Sequence, residues 1–270
     1  MFITNLFIYI LLGLIQGFTE PIPISSSGHL IIFQNLFSLN ALKDLNFEII
    51  VNFGSFIAIV IVFWNDIKTL IIDFFKYLKT RELKYYNHFK YCLLIIIGTI
   101  PAGIVGLILK DFIDKYSNNV KLIGIALLIT ALFLFLIRNI KGSKDDNKIS
   151  FKDALIIGLF QVVALFPGIS RSGSTIVGGM FSDLKRDAAF KFSFMLYLPI
   201  SLATMLLGTK DLIESSPSFE IWIYYIAGMI ASGILTFFSV KWFKNIMNKG
   251  KLIYFVYYCL VVGILVLLFL

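Results

Sequence analysis

The sequence predicts an all-α polytopic membrane protein made of two inverted-topology repeats, each a re-entrant helical hairpin followed by three transmembrane helices. Three observations carry this expectation. Of the 270 residues 59% are hydrophobic and only 15% are charged, and the mean hydropathy is +0.89, whereas a soluble domain carries about a quarter charged residues. Apolar runs recur at lengths near the roughly 20 residues that cross a bilayer. The chain also repeats itself. At an offset of 145 positions Gly13 falls on Gly158, Leu14 on Leu159, Gln16 on Gln161, Ile24 on Ile169, Ser25 on Ser170, Ser27 on Ser172 and Gly28 on Gly173.

The first repeat covers residues 1–140 and the second 141–270. In the first, the apolar stretches 2–18 and 28–37 flank Pro21 and Pro23. Proline breaks a helix, and backbone groups freed at membrane depth must be satisfied by protein or by a water-filled cavity. Two half-helices that enter and leave on one side, over about 2–37, meet that demand. Spans follow at about 47–64, 91–109 and 120–140. The second hairpin, about 153–181, turns at Pro167-Gly168, and spans are expected at about 191–208, 221–240 and 252–270. Phe47 still matches Phe192 at the first offset. Further on an offset of 130 aligns Gly98 with Gly228, Gly103 with Gly233 and Lys121-Leu122-Ile123 with Lys251-Leu252-Ile253. A transmembrane β-barrel is excluded, because the runs are continuously apolar rather than alternating. Cys92 and Cys259 fall inside expected spans and read as small apolar fillers. The apolar N-terminus has no basic leader, so a removable signal peptide is not expected.

Loop charge orients the chain. Residues 65–90 hold six Lys or Arg against three acids, 138–152 are basic, and 241–251 carry four lysines and no acid. These loops should be cytoplasmic. Residues 183–191 lean slightly the same way, 110–119 are balanced, and 210–220 carry three acids against one lysine, which sets the last two outside. The assignment fits six full spans with both termini outside. Three spans per half is an odd number, so the halves must be inverted. The first hairpin then enters from outside and the second from the cytoplasm. The net charge of +8 is explained by these loops, and no nucleic-acid partner is expected. His88, Asp66 and Lys68 read as solvated loop residues.

Inverted repeats with broken helices put their sites near the midplane at the repeat interface, which would join the two hairpin tips. The first tip offers Glu20, Ser25, Ser26, Ser27 and His29; the second offers Ser170, Arg171, Ser172, Ser174 and Thr175. Ionisable residues at membrane depth cost several kcal/mol unless paired or hydrated, and so mark functional sites by default. The planar guanidinium of Arg171 suits phosphate oxygens. Clustered hydroxyls and the starts of half-helices add donors. Together they describe an oxyanion site, most simply for phosphate or diphosphate. Glu20 could ligate a divalent cation or act as a base, and His29 could act as nucleophile or acid. Gln16 and Gln161 read as supporting residues that bridge the hairpins. The bland alternatives are a structural Glu–Arg pair and serines that only allow close packing.

Gln16-Gly17-Phe18-Thr19-Glu20, followed by Pro23-Ile24-Ser25-Ser26-Ser27-Gly28-His29, resembles the first signature of the bacterial undecaprenyl-diphosphate phosphatases. Pro167-Gly168-Ile169-Ser170-Arg171-Ser172-Gly173-Ser174-Thr175 resembles their second. Phe47-Glu48, Gly54-Ser55 and Thr99-Ile100-Pro101-Ala102 fit as well, so the likeness runs through the whole chain. Pro21 departs from it, since the family usually carries an aromatic residue there. The resemblance implies an enzyme of the cytoplasmic membrane that removes the terminal phosphate of undecaprenyl diphosphate, recycles the cell-wall lipid carrier and confers bacitracin resistance. It implies a divalent cation, Mg²⁺ or else Ca²⁺, near Glu20, and an opening toward the outer face. Its catalytic set maps to Glu20, Ser26, His29 and Arg171. Diphosphate binding maps to Arg171, Ser170, Ser172 and Thr175, with Ser25 and Ser27 beside them. The attacking group is left open between Ser26 and a water activated by Glu20 or His29. The partners expected are the polyprenyl lipid and the bilayer, with a homodimer left open. A transporter or flippase for a polyprenyl-phosphate lipid is the alternative from another class. A phosphatidic-acid-phosphatase-type enzyme fits poorly, because no histidine follows His88.

Overall fold

Residues 2–37, 45–116 and 119–270 are described by a computed structural model, and among them the regular structure is helical. The helices are α1 (Phe2–Thr19), α2 (Ser26–Phe37), α3 (Leu45–Val62), α4 (Trp64–Thr80), α5 (Tyr86–Ile108), α6 (Lys110–Tyr116), α7 (Val120–Ile137), α8 (Phe151–Val163), α9 (Arg171–Phe181), α10 (Arg186–Ser215), α11 (Phe219–Asn248) and α12 (Ile253–Phe269). Helices α3, α5, α7, α10, α11 and α12 overlie the stretches expected as spans, α3 reaching that length and hydropathy only together with α4 and α12 being a shorter apolar helix. α5, α7, α10 and α11 are each long and apolar enough to cross a membrane, and so by length and composition is α1. The chain is a multi-pass membrane protein.

The helices that follow the two breaks are short. α2 has 12 residues and α9 has 11. At 1.5 Å per residue these rise less than about 20 Å, well short of a bilayer core of about 30 Å. Residues Gly173–Met180 of α9 are buried without interruption, so this arm lies within protein and not against lipid. Ser25 and Ser170 start α2 and α9: each side chain accepts the backbone N–H three residues on, from Gly28 at 3.2 Å and from Gly173 at 3.1 Å. That is the N-cap arrangement, which satisfies one orphan donor of the first turn.

Repeated glycines hold the arms. α1 packs on α11, and α8 packs on α5. A Cβ on Gly13 would lie 2.2 Å from the carbonyl oxygen of Gly228, and one on Gly158 would lie 2.5 Å from that of Gly98. These four glycines are the ones paired by the sequence offsets, so equivalent positions of the two halves make equivalent contacts. Small residues at such crossings let backbones approach where lipid supplies no hydrophobic drive. Next to the first crossing, Ser55 bonds Ser232 and Thr236 at 2.9 Å each, Ser232 donates to the Val51 carbonyl and Thr236 to that of Gly17. These buried hydroxyls tie α1, α3 and α11 together just before Glu20.

Residues 65–90, expected as a cytoplasmic loop, are largely helical: α4 leaves α3 with a bend of 74°. Its exposed stripe of Trp64, Ile71, Phe75 and Leu78 recurs at helical spacing beside Lys68, Lys76 and Lys79. The charge count had masked this amphipathic pattern. Two charges read as solvated are also paired, with 43% of the His88 side chain and 41% of the Asp66 side chain still exposed. His88 lies 2.5 Å from Asp73, linking α5 to α4, and Asp66 lies 2.6 Å from Lys191 of α10. Lys191 also reaches Asp146 at 3.3 Å, whose carboxyl is held above its usual range by burial. The balanced segment 110–119 is mostly α6; positions 117 and 118 of it lie outside the described residues, as do the side chains of Lys210 and Asp211 in the acidic loop.

Candidate active site

α1 ends at Thr19, and the turn through Pro21 and Pro23 is buried, with the Ile24 N–H bonded to the Ile22 carbonyl at 2.8 Å. This delivers Glu20 to the C-terminal tip of α1, where it faces the first residue of α9. Arg171 donates to one Glu20 carboxylate oxygen, and Ser26 and Gln16 donate to the other, Gln16 at 2.9 Å. The Glu20 side chain is 4% exposed. Three donors converge on one carboxylate, as a buried charge requires. The two tips, 151 residues apart in the chain, thus meet.

Arg171 is held from three sides. Besides Glu20 it donates to Ser201 at 3.0 Å, and its guanidinium sits 4.2 Å from the ring centre of Tyr197. A small cavity of about 10 Å³ lies beside it, lined by Glu20, Arg171, Ser172, Thr175, Ser193 and Tyr197 among others. Thr175 donates to the Arg171 carbonyl at 2.9 Å and lies 2.5 Å from the Ser193 hydroxyl. Ser172 bonds the Ile22 carbonyl at 3.3 Å and approaches Ser170 at 3.2 Å. A cation, a carboxylate and several hydroxyls around one small cavity can grip an oxyanion and move a proton.

The sequence-derived set divides in two. Glu20, Arg171, Ser172 and Thr175 line the cavity, and Ser26 reaches it through Glu20. Ser25 and Ser170, expected on the diphosphate, cap the two helices through an oxygen lone pair, which leaves each O–H able to donate. Ser27 is half-buried. His29, expected in the chemistry, is turned away. Its Nδ1 is 2.7 Å from the Ser25 carbonyl and its Nε2 is 2.7 Å from the Tyr258 hydroxyl, and it does not line the cavity. Gln16 and Gln161 do not bridge the hairpins. Gln16 donates to Glu20 and to Asn52, the latter at 2.7 Å, while both amide atoms of Gln161 are buried without a partner.

Four residues went unflagged. Asn52 supports Gln16, Tyr197 and Ser201 hold Arg171, and Tyr258 holds His29. Asn52 had a signal, being a polar residue inside an apolar span one turn after Glu48, which interacts electrostatically with Glu20. The repeat also pointed there, since Asn52 falls on Tyr197 at the offset of 145. Tyr258 had none, as tyrosine is common in membrane helices.

Broken half-helices that bring a carboxylate, an arginine and hydroxyls to one buried cavity define an intramembrane protein built to handle an oxyanion. The chain belongs to the bacitracin resistance protein BacA family, whose family model matches residues 9–265. It is similar to undecaprenyl-diphosphatase 2 of Bacillus thuringiensis (strain Al Hakam), with 47% identity over 97% of each chain. Undecaprenyl-diphosphatase 1 of Bacillus licheniformis is 48% identical, again over 97% of each. The undecaprenyl-diphosphatase of Oceanobacillus iheyensis is 44% identical over 97% of this chain and 96% of its own.

Proposed function

We infer that this protein hydrolyses undecaprenyl diphosphate to the monophosphate and free phosphate, the step that recycles the cell-wall lipid carrier and underlies bacitracin resistance. One observation carries the reading: Glu20 holds Ser26 by one oxygen and Arg171 by the other, beside a cavity of hydroxyl groups. The names of the relatives point the same way.

The substrate enters as a diphosphate, and its charge draws Arg171 off Glu20 onto the phosphate oxygens, where the guanidinium fork matches them. Glu20 is then free to take the Ser26 proton. Ser26 Oγ attacks the terminal phosphorus, the bond to the bridging oxygen breaks, and the leaving monophosphate takes the proton from Glu20. In the second half, water gives a proton to Glu20 and attacks the phosphoserine. Ser26 Oγ leaves and recovers that proton. Phosphoryl transfer needs little beyond alignment and charge neutralisation, which Arg171, Thr175 and Ser172 supply.

A divalent cation fits this donor set only in part. Among the described residues no three His, Cys, Asp or Glu side chains cluster to hold one. Glu20 and the Gln16 Oε1, buried without a partner, would hold it, the rest of its shell coming from phosphate and water as is usual for Mg²⁺. When bound it would neutralise diphosphate charge. Purified protein in detergent should release phosphate from undecaprenyl diphosphate with Mg²⁺ present and lose most of that activity in EDTA. Binding of the lipid with no phosphate release would favour a carrier, since no transport is possible in detergent.

The two halves are proposed as inverted repeats with both termini and the site's opening on the outer side, supported by loop charge and by the repeat-equivalent glycine contacts. In a background without Cys92 and Cys259, a cysteine at Ser216 should react with an impermeant reagent on intact cells and one at Lys84 should not. The opposite pattern would reverse the orientation.

A further inference from the structure

His29 is 3% exposed, and both ring nitrogens are engaged. A carbonyl only accepts, so the 2.7 Å contact from Nδ1 to the Ser25 carbonyl places a proton on Nδ1. Nε2 lies 2.7 Å from the Tyr258 hydroxyl; with the ring neutral, Nε2 is the acceptor and that hydroxyl the donor. The two rings lie nearly parallel, 15° apart with centroids at 5.5 Å. No nitrogen is left for a substrate.

What His29 holds is unusual backbone. Ser25 has φ of +70°, a left-handed conformation that a non-glycine residue keeps only where its surroundings over-determine it. Three hydrogen bonds converge on Ser25: Gly28 N–H to its hydroxyl, His29 N–H to its carbonyl at 3.2 Å, and His29 Nδ1 to the same carbonyl. The next residue is Ser26, which reaches Glu20. A chain of contacts therefore runs from α12 through Tyr258, His29 and the Ser25 turn to the proposed nucleophile.

We propose that Tyr258 is a positioning residue: by donating to Nε2 of His29 it keeps the Nδ1 proton on the Ser25 carbonyl, and so holds the turn that delivers Ser26 to Glu20. The proposal rests on the reading of Ser26 as the nucleophile. It makes His29 part of the scaffold, and it gives the last helix, α12, a part in the reaction although it supplies no wall of the cavity.

Tyr258→Phe removes one hydroxyl and keeps the ring. It should lower kcat about tenfold, the value of one hydrogen bond, while KM stays within about twofold because the diphosphate contacts are untouched. ¹⁵N spectra of histidine-labelled protein supply a second readout, since the chain has only two histidines. The wild type should show His29 as the Nδ1–H tautomer, Tyr258→Phe a mixture, and Ser26→Ala the wild-type pattern. A wild-type Nε2–H tautomer, an unchanged tautomer in Tyr258→Phe, or wild-type kcat in that variant would overturn the proposal. If the wild type shows the expected tautomers and releases no phosphate, the hydrolase reading fails and the catalytic half of the proposal with it, while the hydrogen-bond chain stands.

Discussion

Arg171→Ala is expected to lower phosphate release by about 10³-fold or more, the scale on which an arginine stabilises a phosphoryl-transfer transition state. Among the described residues no other Lys or Arg lines the cavity, so none there replaces the charge of Arg171. Arg171→Lys should recover little, because a point charge cannot reproduce the fork that reaches Glu20 and Ser201 together. The alanine variant also strands the buried Glu20 carboxylate, and losing one partner of a buried pair costs about 3–5 kcal/mol. Its thermal midpoint in detergent should therefore fall. Adding Glu20→Gln removes the stranded charge and should restore much of the midpoint without restoring turnover, which separates folding from chemistry. Near-normal kcat in Arg171→Ala would rule out this site.

Ser26→Ala should reduce kcat by about 10³-fold or more, as expected when a nucleophile is removed, with KM little changed because Arg171, Ser172 and Thr175 remain. Its thermal midpoint should hardly move, since Glu20 keeps Arg171 and Gln16. The wild type, quenched during turnover of a substrate labelled in its terminal phosphate, should carry label on Ser26. If Ser26→Ala keeps more than about a tenth of the activity, the attack belongs to water and Glu20 acts on it directly.

Much of this site was legible in advance. The breaks at Pro21, Pro23 and Pro167-Gly168 announced irregular backbone at membrane depth, where ionisable groups seldom sit without a purpose. Glu20, Ser26 and Arg171 stood out for that reason. Gly13, Gly98, Gly158 and Gly228 were visible as matched pairs before their crossings were known. α4 was missed because its lysines count as topology signals and its apolar stripe is short. The caps made by Ser25 and Ser170 and the contacts of His29 were not legible, because residue type alone does not show what a side chain is bonded to.

The sequence by itself determined that this is a helical membrane protein, where its helices break, and which polar residues sit at the breaks. Those properties are local: hydropathy over some 20 residues, proline and glycine at a turn, and a serine before a helix. Only the tertiary structure decided which polar residues work together. Glu20 meets Arg171 across 151 positions, and His29 meets Tyr258 across 229. Such pairs depend on how α1, α9, α10 and α12 cross, and the crossings are set by packing summed over many residues. A hydroxyl or imidazole takes whichever partner that packing brings within about 3 Å, and no local pattern encodes that choice.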